Sequence, residues 1–289
     1  MNTTPRFPLY IPSKSRAAIA TTPGVLDAMG IPCRIVVEAD QFDAYAAVHG
    51  PERLLILDPA FQDDYATLDD VGNERSKGPG PARNFIWHHS ISEGHDWHWV
   101  MDDNITFFAR LHQNQRIPVG DGTGFHAMET FALRYENVGM AGPQYWMFAP
   151  SRVANVPFEM NRRIFSCNLI RNDVKQRWRG RYNEDLILSI DMLKHGWCTV
   201  RFNAFLQYKL TTQVLGGGNT EAFYANEGTL HKSQMAVAAY PDMIRLVKRY
   251  GRWHHDADFS QFDNLRLIRK PDADLTDQYP MRLVERKRP

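Results

Sequence analysis

Two acidic pairs, one lone histidine and one basic run are the residues best suited to chemistry. Asp102 and Asp103 close the run Trp97-His98-Trp99-Val100-Met101, and Glu184 and Asp185 open a later segment. Adjacent carboxylates repel unless a cation neutralises them. A hard divalent ion is the usual neutraliser, because it prefers carboxylate oxygen and takes substrate phosphates as further ligands. Two aspartates ending a strand in a turn would give the same dipeptide. Position weighs against that plainer reading. The aromatic and β-branched run before them reads as a buried strand, and open α/β sheets bind ligands at the carboxyl ends of their strands.

Other residues can serve such a site. Lys77-Gly78-Pro79-Gly80-Pro81-Ala82-Arg83-Asn84 is a Gly/Pro turn leading into an aromatic-rich helix. Gly80 would allow close backbone approach, and Arg83 can reach a phosphate or a base edge; an ordinary turn with a surface arginine reads the same way. Arg171, Lys175, Arg177, Arg179 and Arg181 surround Trp178 just before the second acidic pair. Such a run can hold phosphates while the indole stacks on a base, though a solvated basic loop would look alike.

The surrounding pattern is that of an α/β sheet. Phe7–Ile11, Arg34–Glu38 and Leu54–Leu57 read as strands, and Pro23–Met29 and Gln41–Val48 read as helices between them. That alternation predicts βαβ units and a mainly parallel mixed sheet flanked by helices. Ile105–Leu111, Val138–Ala141 and Trp197–Phe202 continue the strands, with a helix over Thr123–Tyr135. Tyr145–Phe148 and Ile164–Ile170 are expected to form an inserted antiparallel pair. Leu186, Ile190 and Leu193 recur at helical spacing after Glu184-Asp185 and would fix that helix to the sheet. Leu215–Asn219 reads as a loop and Glu221–Tyr250 as largely helical, broken at Pro241.

Composition narrows the function classes. The chain has 289 residues, 43% of them apolar, and a formal net charge of +1. It is globular, and no global field recruits a polyanion. Its three cysteines, Cys33, Cys167 and Cys198, form neither a CxxC site nor a disulfide framework. No apolar run is long enough for a bilayer, and the start lacks a signal-like apolar region. The expectation is a soluble, cytoplasmic protein of one domain over 1–289. Its nucleotide-binding half spans about 7–110, its acceptor-binding half about 111–260 and its basic tail 263–289.

A strand ending in Asp102-Asp103, a later helix opening with Glu184-Asp185 and His231 beyond it resemble, in that order, the GT-A glycosyltransferases. The likeness covers roughly residues 7 to 235. More closely, Leu9-Tyr10-Ile11-Pro12-Ser13-Lys14-Ser15-Arg16, Ile35-Val36-Val37-Glu38, the Gly78–Asn84 turn, Met101-Asp102-Asp103-Asn104 and Tyr182-Asn183-Glu184-Asp185 resemble the TET-associated glycosyltransferases. Most of these are phage-encoded, which would place the chain in a host cytoplasm. The resemblance implies a single Rossmann-like domain and a hexosyltransferase. Its donor would be a UDP-sugar, and its acceptor the hydroxyl of 5-hydroxymethylcytosine or a related hydroxymethylpyrimidine in DNA.

By that resemblance Ile11, Pro12, Ser13, Arg16, Glu38, Gly80 and Arg83 line the nucleoside-diphosphate pocket, and Asp102 accepts from a ribose hydroxyl. Asp103 and His231 hold Mn²⁺ or Mg²⁺, the imidazole favouring Mn²⁺. An exposed helix histidine is the plainer reading of His231. The motif here is Asp-Asp-Asn rather than Asp-X-Asp, so either Asp103 ligates alone or Asn104 assists. Asp185 would be the general base, worth roughly 10²–10⁴-fold, with Glu184 orienting the acceptor or sugar. Arg171, Lys175, Arg177, Trp178 and Arg179 would meet the DNA.

Three other readings compete. His254-His255-Asp256 contains the His-X-Asp of an Fe(II) oxygenase, but no histidine follows to complete the triad. A nucleotidyltransferase would want a glycine-rich loop where Pro12–Arg16 stands. A GT-A enzyme with a non-DNA acceptor, or a binding module without turnover, would carry the same motifs; release of UDP from a UDP-sugar in the presence of modified DNA separates the enzyme from the binder.

Overall fold

Strands β1 (Leu9–Pro12), β2 (Arg34–Val37), β3 (Leu54–Ile56) and β4 (Trp97–Met101) carry the chain's continuous apolar runs. Such runs suit strands covered on both faces. The helices among them are α1 (Thr22–Ala28), α2 (Phe42–His49), α3 (Ala60–Asp63) and α4 (Gly80–Ser92). Then follow β5 (Ile105–His112), β6 (Gln115–Pro118), α5 (Thr123–Leu133), β7 (Val138–Tyr145), β8 (Phe158–Met160), β9 (Cys167–Arg171), α6 (Glu184–Lys194), β10 (Cys198–Lys209), α7 (Gly228–Ala239), β11 (Ile244–Arg249) and β12 (Arg252–Ala257). The computed structural model describes residues 4–70, 72, 76–149, 156–209, 228–249 and 251–273.

One large sheet runs β3-β2-β1-β4-β9-β7-β10-β5-β6, with β8 paired to β10. This is the α/β class with a mixed, helix-flanked sheet that the sequence predicts. The β3-β2-β1-β4 side is parallel throughout, β7 runs parallel to β10, and β9, β5, β6 and β8 add antiparallel pairs. Alternate side chains of β1 and β4 point to opposite faces. Leu9, Ile11, Trp97, Trp99 and Met101 meet Leu26 of α1 and Phe125 and Met128 of α5 on one face. Tyr10 and Val100 meet Ile86 and Trp87 of α4 and Leu188 and Met192 of α6 on the other.

Four expectations need correction. Leu186, Ile190 and Leu193 do not fasten α6 to the sheet; they pack with Met235, Ala236 and Tyr240 of α7, while Leu188 and Met192 face the sheet. Helix α6 is therefore covered on two sides. The segment expected to be helical to Tyr250 stops at Ala239, and Ile244–Arg249 pairs with Arg252–Ala257 as a hairpin. Pro241 supplies no amide donor to continue the helix. The aromatic run 145–148 is the end of β7 followed by one 3₁₀ turn, and β9 pairs with β4 and β7 inside the main sheet instead. Gly80 lies buried with no room for a Cβ against the Tyr65 ring, so it serves helix packing rather than access to a ligand. The loop expected at Leu215–Asn219 lies outside the described residues. Among the described residues no helix is long and apolar enough to cross a membrane.

Candidate active site

The carboxyl ends of β1, β2 and β4 open onto a cavity of about 470 Å³ that the start of α6 also lines. That size is usual for small-molecule sites. The end of β4 is fixed by the start of α1: the Thr22 hydroxyl donates to the Asp102 carbonyl at 2.6 Å, and the Thr21 amide donates to the Asp103 carbonyl at 2.9 Å. The Asp102 amide donates to the Ser166 carbonyl at 2.7 Å. The two aspartates thus sit on a rigid backbone.

Arg83 is the centre of the arrangement. It rises from α4, is 1% exposed and lies 4.5 Å from the Trp178 ring. One guanidinium nitrogen is 2.7 Å from Asp102; the other is 2.7 Å from Asp185 and 3.2 Å from Glu184. Three carboxylates from two distant stretches of sequence therefore share one cation. Burial disfavours that charge, but Asp185, Glu184 and Asp102 together outweigh it and hold Arg83 protonated. Arg83 is not available for the phosphate contact that the sequence suggests.

The strand-end pair is well compensated. Asp102 has Lys209 at 2.8 Å on its second oxygen. Desolvation would raise its carboxyl, yet Lys209 and Arg83 hold it down at about 2. Asp103 accepts from Arg16 at 2.8 Å and from the Ser13 hydroxyl at 2.6 Å, and Ser13 also meets the Tyr45 hydroxyl at 2.7 Å. Burial still pushes the Asp103 carboxyl upward against the pull of Arg16 and Ser13.

The helix-start pair is different. Asp185 accepts from Arg83 and, at 3.3 Å, from the Ser166 amide. Among the described residues, the ion pair of Glu184 is the longer contact with the shared guanidinium. Burial pushes the Glu184 carboxyl above its ordinary range, Arg83 pulls it back, and Asp185 pushes it up again. Asn183 precedes the helix in a left-handed conformation, and its amide donates to the Lys232 carbonyl at 2.8 Å. This ties the start of α7 to the start of α6 and brings Lys232 to the cavity.

Pro12, Ser13, Arg16, Glu38, Asp102, Asp103, Glu184 and Asp185 all line the cavity. Glu38 bonds Lys14 at 2.7 Å and the Gln62 amide at 2.9 Å. Ile11 does not line it; as an inner residue of β1 it points into the core. Lys209, Lys77, Arg163 and Lys232 line it without having been singled out. A signal for Lys209 existed: it ends β10, a strand that runs on past Phe202.

His231 is exposed on α7 and is not among the cavity residues, whereas its neighbour Lys232 is. The described residues contain no group of three or more His, Cys, Asp or Glu side chains able to hold a metal ion. An ion at Asp103 would sit beside the Arg16 guanidinium, already 2.8 Å from that carboxylate in a pair whose side chains are each 7% exposed, and like charges so close repel. The donor set among the described residues does not fit a resident divalent ion.

The basic run also differs from its expected role. Trp178 is 1% exposed and packs with Trp87 and Tyr10, so it cannot stack on a base. Arg179 makes two bonds of 2.8 Å to Asp191, and Arg181 pairs with Asp69 at 2.7 Å. Arg171 grips Asp173 at 2.6 Å and lies over Trp197. Arg177 is exposed but covers the Trp87 ring and donates to two nearby carbonyls. Lys175 is exposed. Arg179, Arg181 and Trp178 are scaffolding, the two arginines because acids remote in sequence fold against them, while Lys175 and Arg177 stay on the surface.

Comparison with known families adds one finding. A family model described as TET-Associated Glycosyltransferase matches residues 7–218. The match takes in both acidic pairs, Arg83 and Lys209, and ends before α7. A search of curated proteins found no match.

Proposed function

The chain belongs to the TET-associated glycosyltransferases, and from that premise we propose that it moves a sugar from a UDP-sugar to the hydroxyl of a 5-hydroxymethylpyrimidine in DNA. The observation that carries this reading is the gathering of Asp102, Glu184 and Asp185 by Arg83 at one cavity. Strand-end acids meet the donor there, and helix-start acids face the acceptor.

The nucleoside lies against the ends of β1 and β2, between Pro12–Ser13 and Glu38. Two bonds to cations leave Asp102 lone pairs with which to accept from a ribose hydroxyl. In the transfer step a bond forms from the acceptor oxygen to the anomeric carbon, and the bond from that carbon to the diphosphate oxygen breaks. UDP departs with the electron pair. Lys209 stands beside Asp102, and Lys77 and Lys232 line the same cavity. These cations offset the charge that develops on the leaving group.

Glu184 takes the acceptor proton. A general base works best with its pKa near the working pH, and the upward shift of Glu184 moves it that way. Asp185, the base that the sequence suggests, is bonded to Arg83 at 2.7 Å and orients the acceptor instead.

The test is mass spectrometry of nucleosides from hydroxymethylcytosine DNA treated with a panel of UDP-sugars. Addition of one hexose mass to the modified base is the expected result. UDP binding without transfer to any hydroxymethylated strand would overturn the acceptor assignment.

A further inference from the structure

With Arg171, Trp178, Arg179 and Arg181 engaged within the fold, an aromatic group beside the cavity-lining Arg163 and Lys209 offers a second surface for the acceptor. Tyr145 ends β7, Phe148 closes the following 3₁₀ turn, and Phe165 precedes β9. Their rings form one cluster: Tyr145 to Phe148 at 5.3 Å, Phe148 to Phe165 at 5.8 Å and Tyr145 to Phe165 at 6.2 Å, all edge-on. Phe148 is nevertheless 63% exposed, and its neighbour Met147 is 64% exposed. A phenyl ring held by two others yet open to water is a surface for a planar apolar partner.

The cluster is continuous with the chemistry. Phe165 is followed by Ser166, whose amide donates to Asp185 and whose carbonyl accepts from the Asp102 amide. Ser166 has a φ of +66°, a conformation a serine rarely takes. It is held there by the Cys167 amide bonding back to the Phe165 carbonyl at 2.8 Å. The turn fixes Phe165 beside the acids. Gln207 bonds the Phe165 carbonyl at 2.7 Å, and the Tyr145 hydroxyl donates to the Lys209 carbonyl at 3.4 Å. Arg163 lines the cavity and lies 5.5 Å from the Phe165 ring.

We propose that Phe148, backed by Phe165 and Tyr145, is the stacking platform for the acceptor pyrimidine of a single-stranded or extruded DNA nucleotide, with Arg163 meeting its phosphate. The proposal rests on the DNA reading above. A hydroxymethyl group on a stacked base lies in the major groove, out of reach of acids that line a cavity with side chains 14% (Glu184) and 9% (Asp185) exposed. The base must leave the stack, as other enzymes acting on bases require. A stack on a ring replaces the contacts it gives up, and a cation beside the ring matches the charge of the adjoining phosphate.

The experiment measures binding of a single-stranded oligonucleotide carrying one 5-hydroxymethylcytosine to wild type, Phe148→Ala, Phe148→Tyr and Arg163→Ala. Calorimetric titration of UDP and sedimentation velocity run beside it. Phe148→Ala should weaken the oligonucleotide by about 10-fold, the scale of one lost base stack, and Phe148→Tyr should restore it. UDP affinity should stay the same in both Phe148 variants. Arg163→Ala should weaken the oligonucleotide and lessen its salt dependence. Wild-type DNA affinity in Phe148→Ala would overturn the platform while leaving the glycosyltransferase reading intact. So would a wild-type dimer that Phe148→Ala dissociates without any change in DNA affinity, since the face would then serve self-association. A wild-type protein that binds UDP but transfers sugar to no DNA strand would overturn the DNA reading and the platform together.

Discussion

The two acidic pairs face each other across one cavity and are treated oppositely by the fold. At the end of β4, two carboxylates meet three cations: Arg16 on Asp103, and Lys209 and Arg83 on Asp102. At the start of α6, two carboxylates share Arg83 as their ion-pair partner among the described residues. Each pair keeps one carboxyl that burial pushes above its ordinary range, Asp103 in the first and Glu184 in the second, while Asp102 is held down. Asp103 is gripped by a guanidinium and a hydroxyl on its two oxygens, whereas Glu184 meets Arg83 through the longer of that guanidinium's contacts. On the proposed reading the first pair positions the donor and the second takes the acceptor proton.

The largest effect should come from removing the residue that joins them. Arg83→Met leaves three acids at the cavity without their common partner. Breaking a buried ion pair on one side costs about 3–5 kcal/mol, so urea denaturation should show a loss of that order. A variant as stable as wild type would mean that the acids are neutralised elsewhere.

Glu184→Gln sharpens the contrast. Transfer under single-turnover conditions should fall by roughly 10²-fold or more, while UDP affinity stays level. Stability should move the other way. A carboxyl whose pKa is raised by folding stabilises the protein while protonated, and that contribution is lost as pH rises through the folded pKa. Glutamine mimics the protonated form, so Glu184→Gln should melt higher than wild type at neutral pH. Wild-type transfer should fall on the acid side at a pH above the ordinary glutamate range, as the base becomes protonated. Asp102, held at about 2, contributes in the opposite sense. Its stabilisation is full above the unfolded carboxylate pKa and is lost only as pH falls towards 2.

Lys209→Met tests the donor side. It removes one charge-assisted contact to the diphosphate, and UDP affinity should weaken about 10-fold. The smallest expected effect is that of EDTA. With the Arg16 cation already beside Asp103, UDP affinity should be equal with and without chelator. A strong loss in EDTA would put a divalent ion back at the strand end.

Much of the architecture is legible in the sequence. The β-branched and aromatic runs of β1, β2 and β4 are dictated by burial on two faces, and Gly30 and Gly196 mark helix ends with φ of +67° and +84°. Both acidic pairs could be found because strand ends and helix starts have local signatures. Partners across the fold have none. Nothing near Arg179 or Arg181 announces Asp191 or Asp69, so two arginines that look solvated are tied into the fold. Strand β10 carries Asn203 and Gln207, both buried, among Ala204, Phe205 and Leu206, so polar residues interrupt the apolar run after Phe202 while the strand continues to Lys209. The hairpin of β11 and β12 is rich in Arg, Lys and His, and its charged residues read as the outer face of a helix. His231 and Lys232 are adjacent in sequence, and only the tie from Asn183 to α7 decides which of them reaches the cavity.

The most direct test of the split between the two pairs is single-turnover transfer from a UDP-sugar to hydroxymethylcytosine DNA by wild type, Glu184→Gln and Asp185→Asn, read by nucleoside mass. The account predicts a hexose adduct from wild type and almost none from Glu184→Gln, although that variant binds UDP normally. Asp185→Asn should retain measurable transfer in its folded fraction. Transfer by Glu184→Gln at the wild-type rate, with Asp185→Asn inactive, would contradict the assignment and give the proton to Asp185.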